Sequence, residues 1–281
     1  MNKIIKQRIG FWLNRFGYCL SHSSCTWWNQ LFINTFIWFF KVNMREAEKQ
    51  RVQDFKHFNA FFTRSLKPGI RPIEGHDQAI VSPVDGILSD TWSLDQTTSI
   101  KVKGTCHDLE SLLMLPERKL AQYRQGLGFT FYLAPWHYHC IHMPITASPE
   151  LFFHIPGLLS SVKPKIVERK QSILAQNERL VIELKTAIGP IILVMVGARF
   201  VAGMETCWTG WVNKGYKQFK PMQVSGDSQS LAKGQPFGCF HFGSTVILLL
   251  PNQGYRQLPS LKQGQEVKVG QIVAVPSKDI A

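Results

Sequence analysis

At 281 residues, with 44% hydrophobic and 12% aromatic content, the chain has ample material for a buried core, which excludes a disordered polymer. Its formal charge of +13 is uneven: residues 1 to 72 hold twelve Lys or Arg against Glu46, Glu48 and Asp54, a local net of +9 that suits an anionic partner. Six cysteines, Cys19, Cys25, Cys106, Cys140, Cys207 and Cys239, form no CxxC pair; this excludes a dense disulfide framework and points to free thiols in a reducing compartment.

In chain order, the apolar residues Ile4, Ile5, Ile9, Trp12, Leu13 and Phe16 recur at helical spacing, with Lys3, Lys6, Arg8 and Arg15 around them. A basic amphipathic helix is predicted over residues 1 to 16. Residues 17 to 40 lack any Asp, Glu, Lys or Arg, and their second half is crowded with Trp27, Trp28, Phe32, Phe36, Trp38, Phe39 and Phe40. Ser21 to Ser24, Asn29, Gln30, Asn34 and Thr35 interrupt that run short of the roughly 20 apolar residues a spanning helix needs. No uninterrupted apolar core and small-residue cleavage site follow Lys3, Lys6 and Arg8, so a signal peptide is not expected either. The reading is a monotopic anchor, with tryptophans at headgroup depth and cations toward anionic lipid. Bulky aliphatics between the charges, and no recognised binding motif, speak against nucleic acid.

From about residue 78 short apolar stretches alternate with turn residues. Strands are predicted at Ala79 to Val81, Ile100 to Val102, Phe129 to Leu133, Leu180 to Leu184, Pro190 to Val196, Thr245 to Leu250 and Val267 to Val275, with a helix around Leu109 to Leu113. The fold class is therefore α+β, with N-terminal amphipathic helices (1–72, a basic membrane-association region) followed by a strand-rich, mainly antiparallel domain (73–281). Lys214 to Gln235 is polar and is predicted as a long surface loop.

Three places carry chemistry-bearing residues. Val81-Ser82-Pro83-Val84-Asp85-Gly86-Ile87 sets an aspartate in a turn between apolar stretches. His137, His139 and His142 lie between Pro135 and Pro144, where imidazole can move a proton near neutral pH. On a strand His137 and His139 share one face and His142 the other, so a metal site there is geometrically divided, and no metal is expected. Phe242-Gly243-Ser244-Thr245 places a hydroxyl beside an unhindered glycyl carbonyl before an apolar run. Such a step is ordinarily a turn; with Asp85 and His142 it completes an acid, base and nucleophile set. A serine hydrolase lacks its Gly-x-Ser-x-Gly elbow here, because Val246 holds the last position. A metal hydrolase using the three histidines, and a carrier module suggested by the turn rhythm of Gly264 to Gln271, stay open on these residues alone.

Taken together, Phe58-Asn59-Ala60-Phe61-Phe62-Thr63-Arg64 with Arg71-Pro72-Ile73, Pro83-Val84-Asp85-Gly86, Tyr138-His139 with His142-Met143-Pro144, Asn177-Glu178-Arg179, Val196-Gly197-Ala198, and Lys233-Gly234-Gln235 leading to Gly243-Ser244-Thr245 form an ordered series along nearly the whole chain. This series resembles the phosphatidylserine decarboxylases of the bacterial, membrane-associated type. The resemblance implies a self-processing triad of Asp85, His142 and Ser244, cleavage at Gly243-Ser244 into a beta chain (1–243) and an alpha chain (244–281), and a covalent pyruvoyl cofactor derived from Ser244. It also implies that phosphatidylserine forms a Schiff base with that group and loses carbon dioxide to give phosphatidylethanolamine, with His139 as proton donor. The implied partners are the lipid substrate, an anionic membrane surface and the two chains as a heterodimer, further dimerisation being open; the implied location is the cytoplasmic face of the cell membrane, as a peripheral protein. Phe242 stands where the family more often has Leu, and Pro156 to Lys163 departs from the family's usual loop, so no substrate contact is assigned there.

Overall fold

The computed structural model describes residues 26–93, 99–102, 105–170, 172–198, 203–212, 220–223, 229–241, 243–251 and 254–279. The amphipathic helix expected over residues 1–16, and Phe242, lie outside them. Helix α1 (Thr26–Phe40) buries Asn29, Ile33 and Phe36, one stripe at i, i+4 and i+7, and leaves Trp27, Trp38 and Phe39 more than two-thirds exposed. It ends where Lys41 turns left-handed, at φ 53°, and Val42 N–H reaches back to the Ile37 carbonyl at 3.1 Å, closing the last turn. No helix among the described residues is long and apolar enough to cross a membrane.

The buried stripe of α1 packs on the short helix α2 (Phe58–Phe62), in a cluster of Ile33, Phe36, Val42, Phe55, Phe58, Phe61 and Phe62. Helix α2 starts where His57 Nδ1 accepts the Ala60 N–H at 3.1 Å, satisfying one of the amides that a helix start otherwise leaves unpaired.

The rest is strand-rich and antiparallel, as expected. Among the described residues seventeen strands, β1 to β17 in chain order, form four sheets. The largest has eight strands in the spatial order β12 (Lys220–Gln223), β7 (Ala147–Ile155), β8 (Arg179–Thr186), β9 (Gly189–Gly197), β14 (Ser244–Leu250), β5 (Leu127–Leu133), β2 (Gly86–Ser93) and β16 (Glu266–Val267). A four-stranded sheet runs β11 (Gly210–Trp211), β10 (Met204–Thr206), β13 (Pro236–Phe240), β6 (Cys140–His142). Beside these stand β1 (Ile80–Val81), β17 (Ile272–Pro276) and β15 (Tyr255–Gln257) in one sheet, and β3 (Ser99–Val102) with β4 (Thr105–Asp108) in another.

Strand β14 is central to the large sheet, and both its faces are covered, which is why it reads as a continuous apolar run instead of an alternating one. Val246, Leu248 and Leu250 join a core with Phe131, Leu193, Ile141, Met204, Phe237, Phe240 and Val273, between the large sheet and the two smaller ones. Ile247 and Leu249 join the opposite core, beneath the helices at Leu109–Leu113, Glu117–Leu120 and Ile173–Gln176.

Two expectations need correction. Lys214 to Gln235 is not wholly loop: β12 pairs with Leu151 to His154 of β7, because the bare edge of a sheet offers unpaired amides that a polar segment can satisfy. The predicted strand Val267 to Val275 is two: Lys268 to Gln271 form a tight turn with Gly270 at φ 88°, so β16 joins the large sheet and β17 a different one.

Candidate active site

Strand parity decides where Ser244 points. It is the first residue of β14, opposite Gly197 of β9 and Leu133 of β5, and its side chain shares a face with Val246, Leu248 and Leu250. That face looks toward the small sheet containing β6, and hence toward the histidine segment. Ser244 is fully buried, and its Oγ has no hydrogen-bond partner among the described residues. A buried hydroxyl without a partner costs about 1–3 kcal/mol, so the position is held by its surroundings. Beside Gly243 a Cβ would meet nothing within 4 Å, leaving open space next to that carbonyl.

The three histidines take different roles. His137 is structural: its Nδ1 accepts the Ala134 N–H at 3.0 Å and its Nε2 meets Glu266 Oε1 of β16 at 2.9 Å, tying a turn before β6 to the C-terminal segment. His139 is fully buried, with its ring 4.1 Å from that of Phe62. Its Nδ1–H donates to the His137 carbonyl at 2.9 Å, so the neutral ring leaves Nε2 as a bare acceptor, and that nitrogen has no partner. Burial holds the His139 pKa well below the ordinary histidine value, with the Arg64 charge acting in the same direction. His142 donates Nδ1–H to the Gly234 carbonyl at 2.7 Å, while Nε2 faces the Tyr138 hydroxyl at 3.0 Å. Burial lowers its pKa too, whereas the Asp85 charge favours its protonated form.

Asp85 sits beside His142 through the backbone, since His142 N–H donates to the Pro83 carbonyl at 2.8 Å. No hydrogen bond joins the Asp85 carboxylate to His142. It is held by Arg71, whose Nε lies 3.0 Å from Oδ1 and Nη2 2.5 Å from Oδ2, and by the Val269 N–H at 2.9 Å. Arg71 Nη2 also meets Glu46 Oε2 at 2.5 Å, so this one guanidinium joins the N-terminal region to the aspartate turn. Asp85 and His142 thus adjoin through the backbone, and the His139 carbonyl accepts the Phe240 N–H on the strand that leads to Ser244, but no hydrogen bond among the described residues joins the Ser244 hydroxyl to any of them; it is the Gly234 carbonyl that selects the His142 tautomer.

Several of these parts had no role in the sequence reading, although they lie in its motifs. Gly234, at φ 83° and with Ile73 2.5 Å from where a Cβ would stand, presents the carbonyl to His142 in a conformation that requires glycine. Lys233 Nζ donates to the His76 carbonyl at 2.6 Å and anchors the same turn. Asn177 donates to the Ser160 and Gly197 carbonyls at 2.8 Å and accepts the Ser160 N–H, fixing the strand end opposite Ser244. Arg179 donates to the Leu112, Ser111, Ala175 and Asn177 carbonyls; burial alone lowers its pKa to about 10. Within α2 and just after it, Phe62 packs on His139 and Arg64 Nη2 reaches the Trp136 carbonyl at 3.3 Å, so the helical region forms one wall of the site.

Comparison with known proteins gives the family. Residues 58–275 match the family model described as phosphatidylserine decarboxylase. A phosphatidylserine decarboxylase proenzyme of Nitrosococcus oceani is 39% identical over 261 residues, 92% of this chain and 85% of that protein. Proteins of the same name from Glaesserella parasuis and Pseudomonas putida are 36% and 34% identical, covering 85% and 94% of this chain and 82% and 93% of their own. The chain therefore belongs to the phosphatidylserine decarboxylase family and is a decarboxylase, a carboxy-lyase.

Proposed function

We propose that the chain cleaves itself once at Gly243-Ser244, using Asp85, His142 and Ser244, and then converts phosphatidylserine to phosphatidylethanolamine and carbon dioxide at a membrane surface. The observation that carries this reading is the unpartnered Ser244 Oγ at the head of the central strand, on the face turned toward β6, with open space beside the preceding glycine. A hydroxyl needed only for turn formation would bond its own loop.

In self-cleavage His142 Nε2, the unprotonated nitrogen, exchanges its Tyr138 partner for the Ser244 hydroxyl and accepts that proton as Oγ attacks the Gly243 carbonyl carbon, and the peptide C–N bond gives way to an ester. Asp85 stabilises the imidazolium through its charge, which Arg71 holds in place. Elimination across the Ser244 Cα–Cβ bond releases residues 1–243 with a carboxylate and leaves dehydroalanine, which tautomerises and takes up water, losing ammonia to give a pyruvoyl terminus on the 38-residue segment 244–281. A once-only event with an hour-scale half-time needs a barrier of about 22 kcal/mol, within reach of a positioned base and a few donors.

The residues present fit such a terminus: Ser244 and the unpartnered His139 Nε2 lie in a water-poor interior that favours a carbonyl over a charged group. When formed, the pyruvoyl group supplies an electrophilic carbonyl and an electron sink for decarboxylation. Around it His139 handles the proton at Nε2, Phe62 and the burial of that ring exclude water, and Asn177 holds Gly197 against the start of β14.

Residues 1–72 are proposed as a basic membrane-association region and 73–281 as the catalytic part, with the protein peripheral on the cytoplasmic face of the cell membrane. The exposed Trp27, Trp28, Leu31, Trp38 and Phe39 of α1 support this, since such rings partition to lipid headgroups. Intact mass of the purified protein tests the chemistry: two fragments are expected, the smaller modified by hydroxylamine, while Ser244→Ala stays whole. Active protein that remains one unmodified chain refutes the proposal.

A further inference from the structure

Outside the site just described, the small sheet gathers a second set of ligating side chains, beside the chain's passage into β14. Cys239 on β13 pairs in register with Glu205 on β10 at one side and with Cys140 on β6 at the other. Directly paired residues of an antiparallel sheet project to the same face, and His241, two residues beyond Cys239, follows it there. His241 Nε2 is 3.0 Å from Glu205 Oε2, and Cys239 Sγ is 3.8 Å from that nitrogen and 3.9 Å from that oxygen. Cys140 and Cys239 are free thiols at paired positions of adjacent strands, and Cys140 Sγ lies 3.7 Å from the Thr63 carbonyl.

We propose that Cys140, Glu205, Cys239 and His241 form a binding site for a zinc-type divalent cation. Tetrahedral zinc, with bonds of about 2.0–2.1 Å to nitrogen and oxygen and about 2.3 Å to sulfur, sets its ligand atoms about 3.3 Å apart for N and O and about 3.5 Å apart where one is sulfur. The separations among Glu205, Cys239 and His241 lie within a few tenths of an ångström of these, and Cys140, the cross-strand neighbour of Cys239, would turn in from β6 as the fourth ligand. Two thiolates, an imidazole and one carboxylate suit zinc and disfavour magnesium or calcium, which take oxygen ligands.

The surroundings have the features of a supported metal site. The Asn59 amide faces the other nitrogen of the His241 ring, Nδ1, with Nδ2 at 2.7 Å and Oδ1 at 3.0 Å; with Oδ1 as the acceptor, Nδ1 carries the proton and Nε2, which meets Glu205, would turn its lone pair to the cation. Trp211 stacks on the His241 ring with centroids 3.7 Å apart and fixes its plane. The Glu205 carboxylate is 44% exposed and gives a route in, while the His241 side chain is 4% exposed. Two thiolates, a carboxylate and a divalent cation sum to one negative charge, and the charge of Arg64 acts on Cys140 from nearby. A disulfide between the two cysteines would account for the sulfurs but not for the inward-turned imidazole and carboxylate.

All four ligands precede Gly243, and His241 is only two residues before it. A bound cation would pin the strand end that leads into the scissile step and, on the self-cleavage reading, the new carboxyl end of the larger fragment. Metal binding itself does not depend on that reading, so the test uses Ser244→Ala protein, which separates the two. The reduced, full-length variant is exposed to Zn2+, passed through gel filtration and analysed by elemental mass spectrometry. About one zinc per chain is expected, with Cys239→Ala binding at least about tenfold more weakly and the exposed Cys207→Ala unchanged. Co2+ in place of Zn2+ should give thiolate-to-cobalt charge-transfer absorption that falls by about half in Cys140→Ser, a readout independent of folding yield. Failure of the Ser244→Ala protein to retain zinc, retention unaltered by Cys239→Ala, or a Cys140–Cys239 disulfide formed in preference to metal binding would each overturn the proposal.

Discussion

Arg71 joins three parts of the chain, and Arg71→Met measures what that junction contributes. Its side chain and that of Asp85 are each 8% exposed, and Glu46 is 22% exposed. Removing the guanidinium leaves Asp85 with the Val269 N–H alone, and stranding one member of a buried pair costs about 3–5 kcal/mol. Glu46 keeps Lys268 at 3.5 Å and faces water, so its share is at most about 1 kcal/mol. The assay is urea unfolding in the Ser244→Ala background, where the chain is whole. Arg71→Met should lower stability by about 3–5 kcal/mol, and adding Asp85→Asn should restore part of it by removing the stranded charge. The pH dependence has a definite sign. Burial alone would raise the Glu46 pKa, but the hydrogen bond and charge of Arg71 outweigh it, and the folded value falls below 4.5. Its contribution is therefore present above about pH 4.5, the unfolded value, and is lost as pH falls through the folded pKa. Arg71→Met should flatten that acid limb. A loss below about 1 kcal/mol, or a double variant no more stable than Arg71→Met, would refute the picture of a buried charge junction.

Other perturbations follow from the same structure. Asn177→Ala removes three hydrogen bonds, one to the Gly197 carbonyl opposite Ser244 and two to the Ser160 backbone, and should cost about 2–3 kcal/mol in the same unfolding assay. Gly126→Ala would place a Cβ 2.1 Å from the Leu250 carbonyl at the far end of β14, and should lower stability by about 3 kcal/mol or reduce soluble yield sharply. Lys41→Gly relieves a left-handed residue after α1 and should raise stability by about 0.5–1 kcal/mol, seen as a higher urea midpoint.

Much of the fold was legible because the sheet core leaves a direct trace in sequence. Pro190 to Val196 and Val246 to Leu250 are apolar without interruption, Phe129 to Leu133 and Leu180 to Leu184 are broken only by Thr130 and Glu183, and each run lies within a strand buried on both faces. Strand β7 left no such trace, since Ala147 to Ile155 contains Ser148, Pro149, Glu150 and His154 and is shifted in register near Pro149. Strand β13, Pro236–Phe240, was hidden by Pro236 and Gly238, both poor strand formers, and by Cys239, a side chain whose place is set by its cross-strand neighbours. The site was legible as residue types: Asp85, His139, His142 and Ser244 stand out beside turns and apolar runs, and the ordered motifs tied them together.

By itself the sequence determined the α+β class, the apolar strand over Thr245 to Leu250 and the family, because burial on both faces favours hydrophobic runs and a series of spaced motifs is hard to meet by chance; the central place of that strand came from the sheet pairing. Only the tertiary structure decided which groups touch. Arg71 takes the Asp85 carboxylate, Gly234 selects the His142 tautomer, and Glu205 of β10 meets Cys239 and His241 at the end of β13. Hydrogen bonds and ligand sets depend on distances between residues far apart in the chain, up to 222 positions for Lys268 and Glu46, and local spacing carries no record of them.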